Sequence, residues 1–207
     1  GAIHLIRTSG VAELRPRLAA HLGDLPSVNG NSAPNLTSSN GRWMRYLLGR
    51  MAYELEHRAT KKKPSADLLD GKGNQSPEIE HILSKRFNEN GEEFEFDLSL
   101  INVERQRLGA LTLLSRQDNR AASNRSWSDR CKVYSNSNLL TRTLLADSYD
   151  HNLNIKGSKT DLSVLEFQPW SKISPVAIAK RQHSYSELSR LIWSKSRYME
   201  SRSKRSR

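Results

Sequence analysis

A carboxylate beside an imidazole, Glu80-His81, sits in the short apolar run Ile79-Glu80-His81-Ile82-Leu83. A second run, Leu108-Gly109-Ala110-Leu111-Thr112-Leu113-Leu114, begins 27 residues after His81 and is followed by Asp118-Asn119 and Ser123-Asn124. These residue types suit the hydrolysis of a phosphodiester. That reaction needs a base to deprotonate water, a positive centre for the charge gathering on phosphorus, and something to neutralise the departing oxygen. One hard divalent ion serves the last two needs. Mg2+ takes oxygen ligands and keeps several waters, so one carboxylate and one carboxamide suffice beside the substrate phosphate. On this reading Glu80 and Asn119 hold Mg2+ or Mn2+. His81, an imidazole with an ordinary pKa near ~6.5, is then the general base, provided a backbone carbonyl fixes its other ring nitrogen. Neighbours on a regular strand point to opposite faces, so His81 either sits at a bend or reaches the phosphate from the side opposite the ion.

Each piece taken alone has a plainer meaning. A single Glu-His pair in a short strand is a half-exposed structural histidine, Asp118-Asn119 is a helix cap, and Asn124 is a turn residue. His4, His21, His57, His151 and His183 have no partnered spacing and read as surface or packing residues.

The elements that would position this chemistry follow from periodicity. Glu78-Ile79-Glu80-His81-Ile82-Leu83 alternates roughly as a strand does, and Leu111-Thr112-Leu113-Leu114 is a second β-compatible run. The link between them is acidic and turn-rich over residues 88–97. Ser115 or Asp118 can cap a following helix that carries Asn119 on its first turns. Upstream, Trp43, Tyr46, Leu47, Met51 and Leu55 recur at spacings of three and four, which predicts a scaffold helix over residues 42–58 with that face buried. Arg50, Glu54 and Arg58 form an i, i+4 ladder on another face. Residues 60–77 read as a polar connector. Downstream, Leu139, Leu140, Leu144 and Leu145 share a helical side, and Ser174-Pro175 starts a helix along which Ile178, Tyr185, Leu188 and Ile192 form the apolar stripe.

Composition sets the remaining bounds. A chain of 207 residues with 36% hydrophobic content fills one sizeable core. No apolar run approaches the ~20 residues needed to cross a bilayer, and the first residues are too short an apolar stretch for a secretory signal. Lysine and arginine number 33 against 22 acidic residues, a formal charge of +11, and residues 195–207 contribute +5 of it. That excess favours a polyanionic partner. Cys131 stands alone, which excludes an intrachain disulfide and a multi-thiolate zinc site; a reducing cytoplasm is the natural compartment and a small buried apolar residue the natural role.

Ile79-Glu80-His81-Ile82-Leu83, the run Leu108 to Leu114, Asn119 and Ser123-Asn124 together resemble the HNH-type C-terminal nuclease domain of GmrSD-like type IV restriction endonucleases. The likeness continues more loosely through Lys132, Tyr134, Ser137, Leu144-Leu145, Trp170, Ile178, Arg181 and Leu191, and upstream to Tyr46-Leu47-Leu48. The resemblance implies an α+β fold, a mostly helical domain enclosing a ββα-metal (His-Me finger) motif. It implies a metal-dependent DNA endonuclease, nicking or cleaving, of an antiphage restriction system. His81 is then the base, Glu80 the first metal ligand and Asn119 the second, with Asn119 also counted as catalytic. Asn124, Arg125, Lys132, Arg116 and Arg120 fall to the nucleic-acid face. The implied partners are double-stranded DNA and an upstream ParB-like nucleotide-dependent sensor domain, with no membrane. The expected organisation is an N-terminal helix and flexible loop over residues 1–40 acting as a linker, a nuclease domain over 41–194, and a basic disordered tail over 195–207.

Two positions depart from the family pattern. Ala110 stands where an asparagine is usual, and Ser84 replaces the usual proline. A carboxamide at 110 could brace the loop carrying His81 or touch substrate, and alanine does neither. This keeps two alternatives open: a catalytically weak or inactive DNA-binding module of the same fold, and a helical scaffold unrelated to DNA.

Overall fold

The computed structural model describes residues 35–84, 98–123, 125–150 and 165–193. The expected N-terminal helix and most of the flexible loop within residues 1–40, the acidic link at 88–97, Asn124 and the basic tail lie outside them.

In chain order the described elements are α1 (Gly41–Thr60), α2 (Asp67–Asp70), β1 (Pro77–His81), α3 (Ile101–Glu104), β2 (Leu111–Ser115), α4 (Arg116–Ala122), α5 (Trp127–Tyr134), α6 (Leu139–Arg142), α7 (Asp147–Asp150) and α8 (Pro175–Trp193). The architecture is α+β. β1 and β2 form a two-stranded antiparallel sheet in which Pro77 pairs with Ser115, Glu80 with Thr112 and His81 with Leu111. α4 leaves β2 without a linking residue.

A two-stranded ribbon is marginal by itself and needs packing against helices. β2 therefore reads as a run of apolar residues because it is covered on both sides. Leu111 and Leu113 join Met44, Leu48, Met51 and Leu55 of α1 and Tyr185, Leu188 and Ile192 of α8 in the larger core. Leu114 joins Ile82, Leu83, Ala122, Tyr134, Leu144, Trp170 and Ile178 in a second core. The sheet is the partition between the two.

Local chemistry sets the ends of the elements. Ser115 begins α4, its Oγ accepting from the Asp118 amide at 3.1 Å, so Asp118 serves the cap rather than the chemistry. Ser174 accepts from the Ala177 amide at 3.1 Å and Pro175 occupies the first position of α8. Lys61, in the left-handed region at φ 58°, donates its amide to His57 O and stops α1.

Several sequence expectations are corrected. Trp43 and Tyr46 do not face the core: they are 42% and 54% exposed, and Met44 and Leu48 take the buried positions. The stripe is rotated because spacing alone does not say which of two adjacent apolar rows meets the sheet. Glu54, expected in a ladder on another face than the apolar stripe, is buried and bonded to Arg58 at 2.7 Å. Cys131 is only partly buried, whereas Arg130 and Tyr134 of the same helix are buried. Arg181 is a core residue. It donates to Tyr185 Oη at 3.0 Å, Thr143 Oγ1 at 2.7 Å and Leu140 O at 2.7 Å, and Tyr185 donates to Leu111 O at 2.9 Å. This network ties α8 to α6 and to the start of β2.

Gly109 marks the closest approach in this arrangement. A Cβ there would fall on the carbonyl oxygen of Ile178 and within 2.9 Å of the Gln182 amide nitrogen, both backbone atoms of α8. Gly109→Ala must push α8 off the turn that precedes β2, and overpacking of this kind costs about 1–3 kcal/mol. Thermal melting should show a drop of several degrees; an unchanged midpoint would mean that α8 does not rest on this turn.

Candidate active site

Strand alternation sends Glu78 and Glu80 to one face of β1 and Ile79 to the other. Ile79 packs against the larger core, and the two carboxylates turn toward α4 and α5. Glu78 meets α4: its Oε1 accepts from Arg116 Nε at 2.8 Å and its Oε2 from Asn119 Nδ2 at 3.0 Å. The bond from Asn119 is the main reason its carboxyl is held below the ordinary range, with Arg116 adding to it and burial opposing. With Nδ2 committed to Glu78, the amide plane of Asn119 is fixed and Oδ1 is directed away from that carboxylate.

Glu80 meets α5 and is 8% exposed. Its Oε1 accepts from Tyr134 Oη at 2.8 Å and from Arg130 Nη1 at 3.3 Å, so both bonds use the same oxygen and neither uses Oε2. Burial holds the Glu80 carboxyl above the ordinary carboxylate range, outweighing the pull of Arg130 and Tyr134. Burial and the nearby Glu80 charge push the Tyr134 hydroxyl well upward, so it stays a donor.

The chain leaving β1 has no further sheet partner, and arginines take its carbonyls instead. Arg130, 1% exposed, donates through Nη1 to His81 O at 3.1 Å and through Nη2 to Ile82 O at 2.5 Å. Arg105, 6% exposed, donates through Nε to Leu83 O at 3.4 Å. The Ile82 amide donates to Ala110 O at 2.9 Å. His81, the last residue of β1, is thus held by the backbone on either side. Its Nε2 lies 3.2 Å from Gln106 Oε1. That bond forms in the tautomer with the proton on Nε2, which places the ring lone pair on Nδ1.

A polar cleft of about 250 Å3 opens at this end of β1, bordered by Glu80, His81, Asn119, Arg105 and Arg130, with Ser84 and Ser123 at its edge. Glu80 and His81 leave the strand on opposite faces yet border the same space, because the strand stops at His81. The other sequence candidates do not line it. Arg116 is spent on Glu78; Arg120 and Arg125 are exposed on the surface nearby; Lys132 is exposed and pairs with Asp129 at 2.8 Å. Asn124 is outside the described residues. Ala110 is fully buried in the second core, so a side chain at 110 braces the interior and does not touch substrate.

Sequence reasoning missed Glu78, Arg105, Gln106 and Arg130, and gave Tyr134 no part in the site beyond the family likeness. Glu78 was legible, since it lies two residues before Glu80 on an alternating strand. The other four carried no local signal, because the residues they bond, Glu80, His81 and Leu83, lie 22 residues or more away.

The donors suit a hard divalent cation: a carboxylate with one oxygen outside the hydrogen bonds and a carboxamide whose amino end is anchored, both on a polar cleft. Among the described residues no group of three or more His, Cys, Asp or Glu could hold a metal. An ion here would complete its shell with water and phosphate, as Mg2+ commonly does.

A family model described as the C-terminal domain of GmrSD restriction endonucleases matches residues 31–188. No curated protein and no solved structure matches.

The Glu80–Arg130 pair makes a stability prediction. Removing the guanidinium in Arg130→Met takes from the buried Glu80 carboxylate its ion-pair partner, which costs about 3–5 kcal/mol. The sign with pH follows from the raised Glu80 carboxyl: folding favours its protonated form. The penalty should be smallest below the unfolded glutamate value of ~4.3 and grow as pH rises through the raised folded value. Denaturant unfolding across that window checks it; a penalty that is flat with pH would separate Arg130 from the Glu80 charge.

Proposed function

Because the chain belongs to the family of GmrSD restriction endonuclease C-terminal domains, we propose that the cleft at the end of β1 hydrolyses phosphodiesters of double-stranded DNA. His81 is the general base, and Glu80 and Asn119 hold one Mg2+ or Mn2+. The observation that carries this reading is that Glu80, His81 and Asn119, drawn from a strand and from a helix 38 residues further on, border one polar cleft. In this reading β1, β2 and α4 constitute the ββα-metal motif of HNH-type, or His-Me finger, nucleases.

The chain's own groups divide the work. Gln106 keeps the proton on Nε2 of His81, so Nδ1 receives the proton of the attacking water. Glu78 holds the amino end of Asn119 and turns its carbonyl oxygen toward the cleft. Glu80 offers Oε2 while Tyr134 and Arg130 restrain Oε1. When bound, the metal supplies positive charge to the phosphoryl oxygens and to the departing 3′ oxygen, and the products carry 5′-phosphate and 3′-hydroxyl ends. Phosphate contacts position a duplex without reading its sequence, and specificity in this reading belongs to an upstream ParB-like nucleotide-dependent sensor domain of a cytoplasmic antiphage system. The surface arginines Arg120 and Arg125, with Lys132, supply positive charge around the cleft. Among the described residues no helix is long and apolar enough to cross a membrane.

A second reading, an inactive DNA-binding module, is favoured by the engagement of Glu80 Oε1 by two donors and by Ala110 in place of asparagine. It predicts duplex binding that weakens steeply with salt and no cutting with Mg2+ or Mn2+; cutting recovered in Ala110→Asn would mark a damaged nuclease.

A plasmid assay tests the proposal. The protein should nick or linearise supercoiled DNA with Mg2+ or Mn2+ and stop with chelator. His81→Ala should lose about 10²–10⁴-fold of the rate, the contribution of a positioned base, while binding duplex as the parent does. An equally active His81→Ala protein removes the assignment.

A further inference from the structure

The cleft holds an arginine that the hydrolysis described above leaves unused. Arg105 lines it beside His81 and Asn119. Its side chain is 6% exposed and anchored by one hydrogen bond, Nε to Leu83 O at 3.4 Å. Among the described residues its two terminal amino groups meet no acceptor. Among the described residues the carboxylate that acts on Arg105 is Glu80, which is already bonded to Arg130 and reaches Arg105 through its charge. Among the described residues two guanidiniums thus share one carboxylate at this wall, and Arg130 also keeps a buried Nε–H without a partner. Burial works against the charge on Arg105, and an anion in the cleft would offset that. A guanidinium that lines a polar cleft and has its two terminal amino groups uncommitted matches the two oxygens of a phosphate.

We propose that Arg105 binds a phosphate of the DNA backbone through its two terminal amino groups, holding that phosphate between His81 and Asn119. The inference rests on the nuclease reading for the identity of the phosphate. The anchor through Nε explains why position 105 suits this role, because the guanidinium is fixed to the same backbone stretch that carries His81 and so sets phosphate and base in one frame. The neighbouring Gln106 bonds His81 itself, and two adjacent residues after α3 therefore serve phosphate and base respectively.

The experiment measures duplex affinity in chelator, where nothing is cut, for the parent, Arg105→Gln and Arg105→Lys. One lost phosphate contact lowers the slope of log K against log salt by about 0.9 between about 50 and 200 mM salt. Arg105→Gln should show that loss with several-fold weaker binding, and Arg105→Lys, which keeps the charge, should retain the parental slope. A merely structural arginine would not change the slope, so a parental slope in a folded Arg105→Gln protein overturns the proposal. Should Arg105→Gln not fold, the parent protein decides: duplex should protect Arg105 from phenylglyoxal in peptide mass mapping, and modification at an undiminished rate overturns it. No measurable affinity for duplex overturns it as well. Because these readouts need no cleavage, failure of the plasmid assay sinks the nuclease reading separately.

Discussion

Two buried arginines hold the segment that leaves β1. A strand that ends inside a protein presents carbonyls that must find donors, since an unpaired one costs about 1–3 kcal/mol. Here His81 O and Ile82 O are taken by Arg130 and Leu83 O by Arg105, while the Ile82 amide reaches Ala110 O. The arrangement permits the strand to stop at His81 with both neighbours rigid. It also explains why Glu80 is tolerated at 8% exposure: the guanidinium that satisfies the backbone is the one that compensates the carboxylate.

The cleft follows from that clamp. With β1 ended, the residue facing α5 and the residue facing the other way both border the same space, so the pleat does not prevent Glu80 and His81 from acting together. α4 then brings Asn119 to it, because Ser115 caps the helix where β2 ends and leaves no linker to drift. Glu78 completes the geometry by fixing the orientation of the Asn119 amide. The two glutamates of β1 differ in environment: donors from Asn119 and Arg116 hold the carboxyl of Glu78 low, whereas burial raises that of Glu80. A divalent ion at Glu80 would reverse that tendency by favouring its charged form.

The two cores give the sheet its rigidity. Leu111 and Leu113 on one side and Leu114 on the other are each nearly or wholly inaccessible, worth about 1.5–3 kcal/mol apiece relative to exposure. Arg181 and Tyr185 then pin α8 to Leu111 O and Leu140 O. Gly109 is the consequence at backbone level, since only a residue without Cβ lets the turn before β2 lie against α8.

Much of this was written in the linear chain. The alternation around Glu80, the leucine run of β2, the serine caps at 115 and 174 and the period of α8 each arise from neighbours a few residues apart, and local rules reach that far. The pairing of Glu80, His81 and Asn119 was readable because order and spacing of several short elements carry it together. The rotation of α1, which exposes Trp43 and Tyr46, was not readable, because two adjacent rows satisfy the same period and only contact with the sheet selects one. Nor were the roles of Arg105, Gln106, Arg130 and Tyr134. Nothing near an arginine in sequence says whether it meets water or a buried carbonyl; that depends on which backbone the fold leaves unpaired, and the fold decides it by ending β1 beside α5.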